Sequence, residues 1–166
     1  FNDFITNEIK WLTQAPVLKR KFIIDEKIDF DETLQQSQER DFFVKVLNKT
    51  KNYIYTEEPL VLFRKHTKSI SHEGVTCEKT LSNFNVNYKI LCEYYSKLNS
   101  SSIVFLKRAL KSNVFIASLN KEKYLAKKLR NQLLKDKKNF SWAERIKIFI
   151  GYYSVLFLGR GEALFK

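Results

Sequence analysis

Apolar residues in the second half of the chain recur at intervals of three and four. Leu81, Phe84, Tyr88, Leu91, Tyr95 and Leu98 fall on one face of a predicted helix. Asn99-Ser100-Ser101 then supplies a turn and an N-cap, and Ile103, Leu106, Leu110 and Ala117 form the stripe of a second helix. Leu125, Leu129 and Leu133 mark a third helix over roughly 121–134, and Ser141 is placed to cap a fourth. That last segment is different in kind, because residues 148–158 are apolar almost all round. It is too short to span a bilayer, which takes about 20 apolar residues, so it is either buried in a bundle or lies in a membrane interface. Lys137, Lys138, Arg145, Lys147 and Arg160 flank it, with Trp142, Tyr152 and Tyr153 as candidate interfacial aromatics.

Before about Ser71 the pattern breaks into shorter pieces. Phe4 to Trp11 reads as a strand, Ala15-Pro16 as the start of a short helix, and Asp29-Phe30-Asp31-Glu32 as a loop. Pro16 suits a first helical turn because its missing N–H would be unpaired there anyway. A helix is expected from Ser37 to Asn48, with Phe42, Phe43, Val46 and Leu47 facing inward, followed by a strand from Tyr53 to Phe63 that Pro59 breaks or places at an edge. The expected fold is therefore an α/β region over residues 1–76 and a helical region of about four helices over 77–166, predominantly α overall. Four glycines and two prolines in 166 residues disfavour a turn-rich β-sandwich.

Length and a 44% apolar composition suit one ordinary domain with a proper core. The sequence contains no methionine and opens on Phe1, so it reads as a piece of a longer protein. Cys77 and Cys92 show no paired spacing, which points to a reducing, cytoplasmic compartment. A zinc site from His66, His72 and Cys77, completed by Glu73 or Glu78, fits no closed four-ligand spacing. Charge is uneven: residues 1–100 carry 15 Lys and Arg against 14 Asp and Glu, whereas residues 101–166 carry 15 against 4, a net +11. Such a basic tail either attracts phosphates or is simply a solvated helical surface.

Two stretches carry candidate chemistry. Leu62-Phe63-Arg64-Lys65-His66-Thr67-Lys68-Ser69-Ile70-Ser71 reads as a strand that empties into cations, an imidazole and hydroxyls, an arrangement suited to gripping an anion beyond a strand end. Gln38-Glu39-Arg40-Asp41 opens the predicted helix before Phe42-Phe43 and sets two carboxylates in its first turn. Carboxylates there can simply complement the helix N-terminus, or one can serve as a general base that is ionised and within reach of a substrate hydroxyl.

In order, Trp11 with Gln14-Ala15-Pro16, Lys19-Arg20-Lys21-Phe22, Phe30-Asp31-Glu32-Thr33-Leu34, Gln38-Glu39-Arg40-Asp41-Phe42-Phe43 and Arg64 to Ser71 resemble the C-terminal half of family 2 glycosyltransferases. The resemblance covers residues 8–71, and residues 77–166 are similar only to the variable helical tails of such enzymes. It implies a GT-A type nucleotide-sugar-binding fold, here with an incomplete sheet. It also implies inverting transfer of a sugar from a nucleotide-diphosphate donor to a hydroxyl of a glycan or lipid-linked acceptor, in cell-surface polysaccharide or glycolipid assembly.

By position in the motif, the resemblance makes Glu39 the base, with Gln38 where the family usually has Glu and Asp41 as reserve. It makes His66 a ligand of Mn²⁺ or Mg²⁺, whose other ligands would come from an upstream Asp-x-Asp. Arg64, Lys68, Ser69 and Ser71 would meet the donor diphosphate, and Trp11, Gln14 and Gln38 the acceptor. Asp29-Phe30-Asp31 matches the metal motif as a string but lies where the family has an acceptor-side loop. The chain by itself is expected neither to bind donor tightly nor to turn over. Residues 137–160 are expected to meet an anionic membrane surface, giving a cytoplasmic protein peripheral to the inner face of the membrane, and nucleic acid is not the expected partner. The competing reading is a non-catalytic basic helical module for anionic membrane or RNA, which leaves the ordered motifs of residues 8–71 unexplained.

Overall fold

The computed structural model describes residues 1–58, 60–62 and 74–165. Four helices make the body of the protein: α4 (Cys77–Glu93), α5 (Ser100–Leu119), α6 (Lys123–Lys135) and α7 (Trp142–Leu158). They are preceded by α1 (Asn2–Ile5), α2 (Arg20–Asp25) and α3 (Gln38–Lys49). Single 3₁₀ turns follow α4 at Tyr95–Lys97 and α7 at Glu162–Phe165. The central element is α5, which packs against α1, α4, α6 and α7. Its Leu106, Leu110, Val114 and Ala117 have no exposed surface and meet Leu129 and Leu133 of α6 and Ile148 of α7 in one continuous core. The predicted stripes of α5 and α6 are thus the faces that are buried.

The helix boundaries follow from local chemistry. The Thr76, Asn99 and Ser141 side chains each accept a backbone N–H in the first turn of α4, α5 and α7. At α7 the cap is reciprocal, since the Glu144 carboxylate accepts the N–H of Ser141 at 2.8 Å. Short connections, three residues between α5 and α6 among them, make successive helices neighbours. Gly159 ends α7 at φ 63°, a left-handed conformation that glycine takes without steric cost. Gly151, in the middle of α7, has another purpose: a Cβ there would come within 2.7 Å of the Phe165 ring, which folds back to cover the helix.

Three expectations for the first region are corrected. No strand forms among the described residues, so the α/β reading and its GT-A type sheet give way to a predominantly helical fold. For residues 53–58 and 60–62 the physical reason is the lack of a partner: β-propensity reports packing on a sheet, and among the described residues there is no second strand to pair with. Ile54 is 98% exposed, Tyr55 and Leu62 are largely bare, and Tyr53 meets the edge of the Trp11 ring at 5.5 Å. Phe4 and Ile5, expected in a strand, are instead consecutive buried residues of α1. The chain reverses at Asn7, whose φ of 63° is tolerated better by Asn than by most residues. Finally, the second helix opens at Arg20 rather than at Ala15-Pro16, with Lys19 as its extended N-cap residue.

Candidate functional site

A cleft of about 460 Å³ opens at the seam between the first region and the bundle. Its walls come from the end of α1 (Phe4, Asn7), the segment Ile9 to Leu12, the start of α3 (Ser37, Glu39, Arg40), α4 (Asn83, Asn87) and α5 (Phe105, Ala109). The segment before α2 and the first turn of α3 are brought together by a hydrogen bond in which the Thr13 hydroxyl donates to Glu39 Oε1 at 3.1 Å. Trp11 stands beside it, held edge-on against Phe43 at 5.5 Å and tilted against Phe4. One face of the cleft is therefore aromatic and one edge carries a carboxylate.

Arg40 forms the floor. Its Nη2 donates to the Ile5 carbonyl at 2.8 Å, its Nη1 to Asn7 Oδ1 at 3.1 Å, and its guanidinium lies 5.6 Å from the centre of the Phe105 ring. Burial pushes its pKa down to about 10, so it remains a cation at neutral pH. Its buried Nε has no hydrogen-bond partner among the described residues, which is uncommon for a buried donor.

The opposite wall is lined with amides. The Asn87 side chain donates to the Asn83 carbonyl at 2.8 Å and to its Oδ1 at 3.0 Å, and Ser37 Oγ donates to the same Oδ1 at 3.2 Å. Asn83 in turn donates to Asn113 Oδ1 of α5 at 3.4 Å. Ser37 adopts φ 65°, and its hydroxyl does not cap its own helix but reaches across to α4. A non-glycine residue in that region costs on the order of 1–3 kcal/mol, and such residues concentrate at functional sites. Asn87 Oδ1 is buried without a hydrogen-bond partner among the described residues.

The structure brings together some of the predicted site residues and separates others. Glu39 and Trp11 share the cleft. Asp41, one turn edge away, points into the protein: it is 3% exposed, with Lys45 Nζ at 2.6 Å and Lys89 Nζ at 3.0 Å on its two oxygens. Gln38 turns back and donates to the Leu34 carbonyl, and Gln14 lies exposed in the turn after the cleft segment; neither lines the cleft. Arg64, His66, Lys68, Ser69 and Ser71 lie outside the described residues, as does His72 of the zinc alternative. Among the described residues no group of three or more His, Cys, Asp or Glu could hold a metal. Asp31 of the Asp-x-Asp string closes a turn, accepting the N–H of Thr33 at 3.0 Å and its hydroxyl at 2.6 Å, while Phe30 stacks on Phe42. The Cys77 thiol is hydrogen-bonded to Glu122, which with burial pushes it up to about 11.

Arg40 and the asparagines were not singled out from the sequence. The usable signal was Asn87, which stands between Phe84 and Leu91 on the inward stripe of α4, where a polar side chain needs a reason to be buried. Arg40 gave no such signal, since an arginine in a charged first turn is normally solvated. A carboxylate, an aromatic face, a buried cation and a row of amides can together bind a hydroxyl-rich ligand and accept a proton from it. No protein-family model, curated protein or solved structure matches this chain.

Proposed function

We propose that the cleft is the acceptor side of an inverting glycosyltransferase that moves a sugar from a nucleotide diphosphate to a hydroxyl of a glycan or lipid-linked acceptor. The observation that carries this reading is the convergence of Glu39 and Trp11, 28 positions apart in the sequence, on one cleft together with Asn83 and Asn87. An aromatic face covers the apolar side of a pyranose ring, and amides bond its hydroxyls. The Thr13 hydrogen bond engages one Glu39 oxygen and leaves the other to take the proton of the attacking hydroxyl. Asp41 is committed to two lysines and Gln38 to a backbone carbonyl, so among the described residues Glu39 is the one carboxylate in the cleft wall.

In this reading, Arg64, Lys68, Ser69 and Ser71 would serve the donor side and His66 would be a ligand of Mn²⁺ or Mg²⁺, which when bound would supply positive charge for the donor diphosphate. The two unpaired thiols, Cys77 and Cys92, fit a cytoplasmic enzyme working on nucleotide-activated sugars.

The test measures nucleoside diphosphate release from a panel of nucleotide-diphosphate sugars, with Mn²⁺ and a mixture of cell-envelope glycans and glycolipids, by a polypeptide that contains this chain. Glu39→Gln should lower transfer by about 10²-fold or more, the usual contribution of a general base. Trp11→Ala should raise the acceptor KM with a smaller effect on kcat. Transfer that is unaltered in Glu39→Gln refutes the assignment of the base.

A further inference from the structure

The helix α7 carries two apolar faces, and only one of them is used by the fold. Ile148, Gly151, Tyr152 and Val155 pack inward. On the other side Trp142, Ile146, Phe149, Ile150, Tyr153 and Phe157 follow the spacing i, i+4, i+7, i+8, i+11, i+15, which is one continuous stripe. At 1.5 Å per residue it runs for about 22 Å. Trp142 is 73% and Phe157 79% exposed, and Phe149 and Ile150 are each about half exposed. Burial of a core helix therefore accounts for half of the apolar character of this segment and leaves the other half in solvent.

The surroundings of the stripe are cationic. Arg130 of α6 lies over its edge, 4.4 Å from the centre of the Tyr152 ring and 5.5 Å from that of Tyr153. Lys123 and Lys127, two turns and one turn before Arg130, share its side of α6 by spacing and are exposed. No acidic residue occurs anywhere in α6. Of the four acids in residues 101–166, Glu144 is paired with Lys107 at 3.2 Å, and Asp136 is turned toward Tyr88 and Asn139. The side of α6 next to the stripe thus carries exposed cations and no acid, in a part of the chain whose net charge is +11.

We infer that the outer face of α7 docks on an anionic lipid surface, lying in the plane of the interface with its aromatics at the headgroup and acyl boundary and Lys123 and Lys127 against lipid phosphates. Three observations select this occupant. Trp, Tyr and Phe flanked by Lys and Arg are the residues that partition to that boundary. The hollow on the stripe, about 440 Å³ and open, is lined by Phe149, Ile150, Tyr153, Ser154, Phe157 and Leu158, and the two hydroxyls of Tyr153 and Ser154 offer little to fix a protein partner. A second copy would set two strongly positive surfaces face to face. Among the described residues no helix is long and apolar enough to cross a membrane, so the contact is one of lying on the surface. This surface is separate from the cleft, and the inference stands whether or not the protein transfers sugar.

Co-sedimentation of the full chain with vesicles tests it. Binding should be strong to phosphatidylcholine mixed with phosphatidylglycerol, weak to phosphatidylcholine alone, and diminished by salt. Phe149→Ser combined with Phe157→Ser should reduce partitioning roughly tenfold or more, with helical circular dichroism unchanged. Lys123→Gln and Lys127→Gln, on a different helix and away from the core, should each reduce it about fivefold, so the inference remains testable even if the double variant loses its fold. Equal binding of the charge variants and the parent overturns the anionic requirement, as does equal binding to neutral vesicles. Absence of vesicle binding overturns the inference altogether. So does a dimer in light scattering that the double variant converts to monomer without any vesicle binding, which would assign the face to a second copy.

Discussion

Residues 77–165 and residues 1–62 are built on different principles, and the cleft lies where they meet. The bundle is held by long periodic stripes whose central leucines, Leu106, Leu110, Leu129 and Leu133, are wholly buried, with the helix start capped from its own sequence in α4, α5 and α7. The first region has short helices, exposed aliphatics and, among its described residues, three non-glycine residues at positive φ: Asn7, Lys27 and Ser37. What fastens it is a set of polar clasps. Asn2 Oδ1 accepts the N–H of Asn99 at 3.0 Å and the Ser102 hydroxyl at 2.8 Å, Lys97 reaches the Asn48 side chain, and Arg40, which ties Ile5 and Asn7 to α3 within the region, also lies over the Phe105 ring of α5. The lesson is that periodic burial produces a frame, whereas a binding cleft is shaped by a less regular segment docked on that frame through directional bonds.

The comparison can be broken most severely from the bundle side. Leu110→Ala, at a fully buried position in the central helix, should cost about 3–5 kcal/mol in denaturant unfolding and should loosen both regions together. Arg40→Ala should act on the first region alone: it removes the bonds that tie Ile5 and Asn7 to α3, costs about 2–3 kcal/mol, and should raise amide hydrogen exchange in α1 while α5 and α6 keep their protection. Equal loss of protection in all helices would show that the two regions unfold as one unit.

A smaller effect should come from pH. Burial works against the Glu144 charge, but the Ser141 N–H and the Lys107 ammonium prevail and hold its pKa below the ordinary 4.5. A depressed carboxylate contributes stability that is fully present above its unfolded value and is lost as pH falls through the folded one. Thermal unfolding should therefore weaken below about pH 4.5, and Glu144→Gln should lower stability at neutral pH while flattening that part of the acid slope. Smallest of all, Ile54→Ser should change stability by less than about 0.5 kcal/mol, because the side chain touches almost nothing. A large loss there would reinstate a packed strand at residues 53–58.

How much was legible varied with the kind of interaction involved. The helices of the bundle could be read from Leu106, Leu110, Leu125, Leu129 and Leu133, and the cap at Ser141 from its own residue type, because the spacing of buried positions and the first-turn hydrogen bond are local properties. Phe4 to Trp11 and, of the expected second strand, residues 53–58 and 60–62 misled, since alternation and β-propensity report only that a segment could suit a sheet. In the cleft, Trp11 and Glu39 could be named, but Arg40, Asn83 and Asn87 could not, because their roles come from partners distant in sequence.

By itself, then, the sequence determined four helices, the starts of two of them at Asn99-Ser100-Ser101 and Ser141, and a strongly cationic second half with an unusually apolar last helix. Tertiary structure alone decided which side of α7 is buried and which is bare, that the first region docks as turns and short helices rather than as a sheet, and that Glu39 faces a cleft while Asp41 faces two lysines. The physical reason is range: helix periodicity and capping are settled within a few residues, whereas the facing of a side chain and the pairing of a strand depend on what the rest of the chain brings to them.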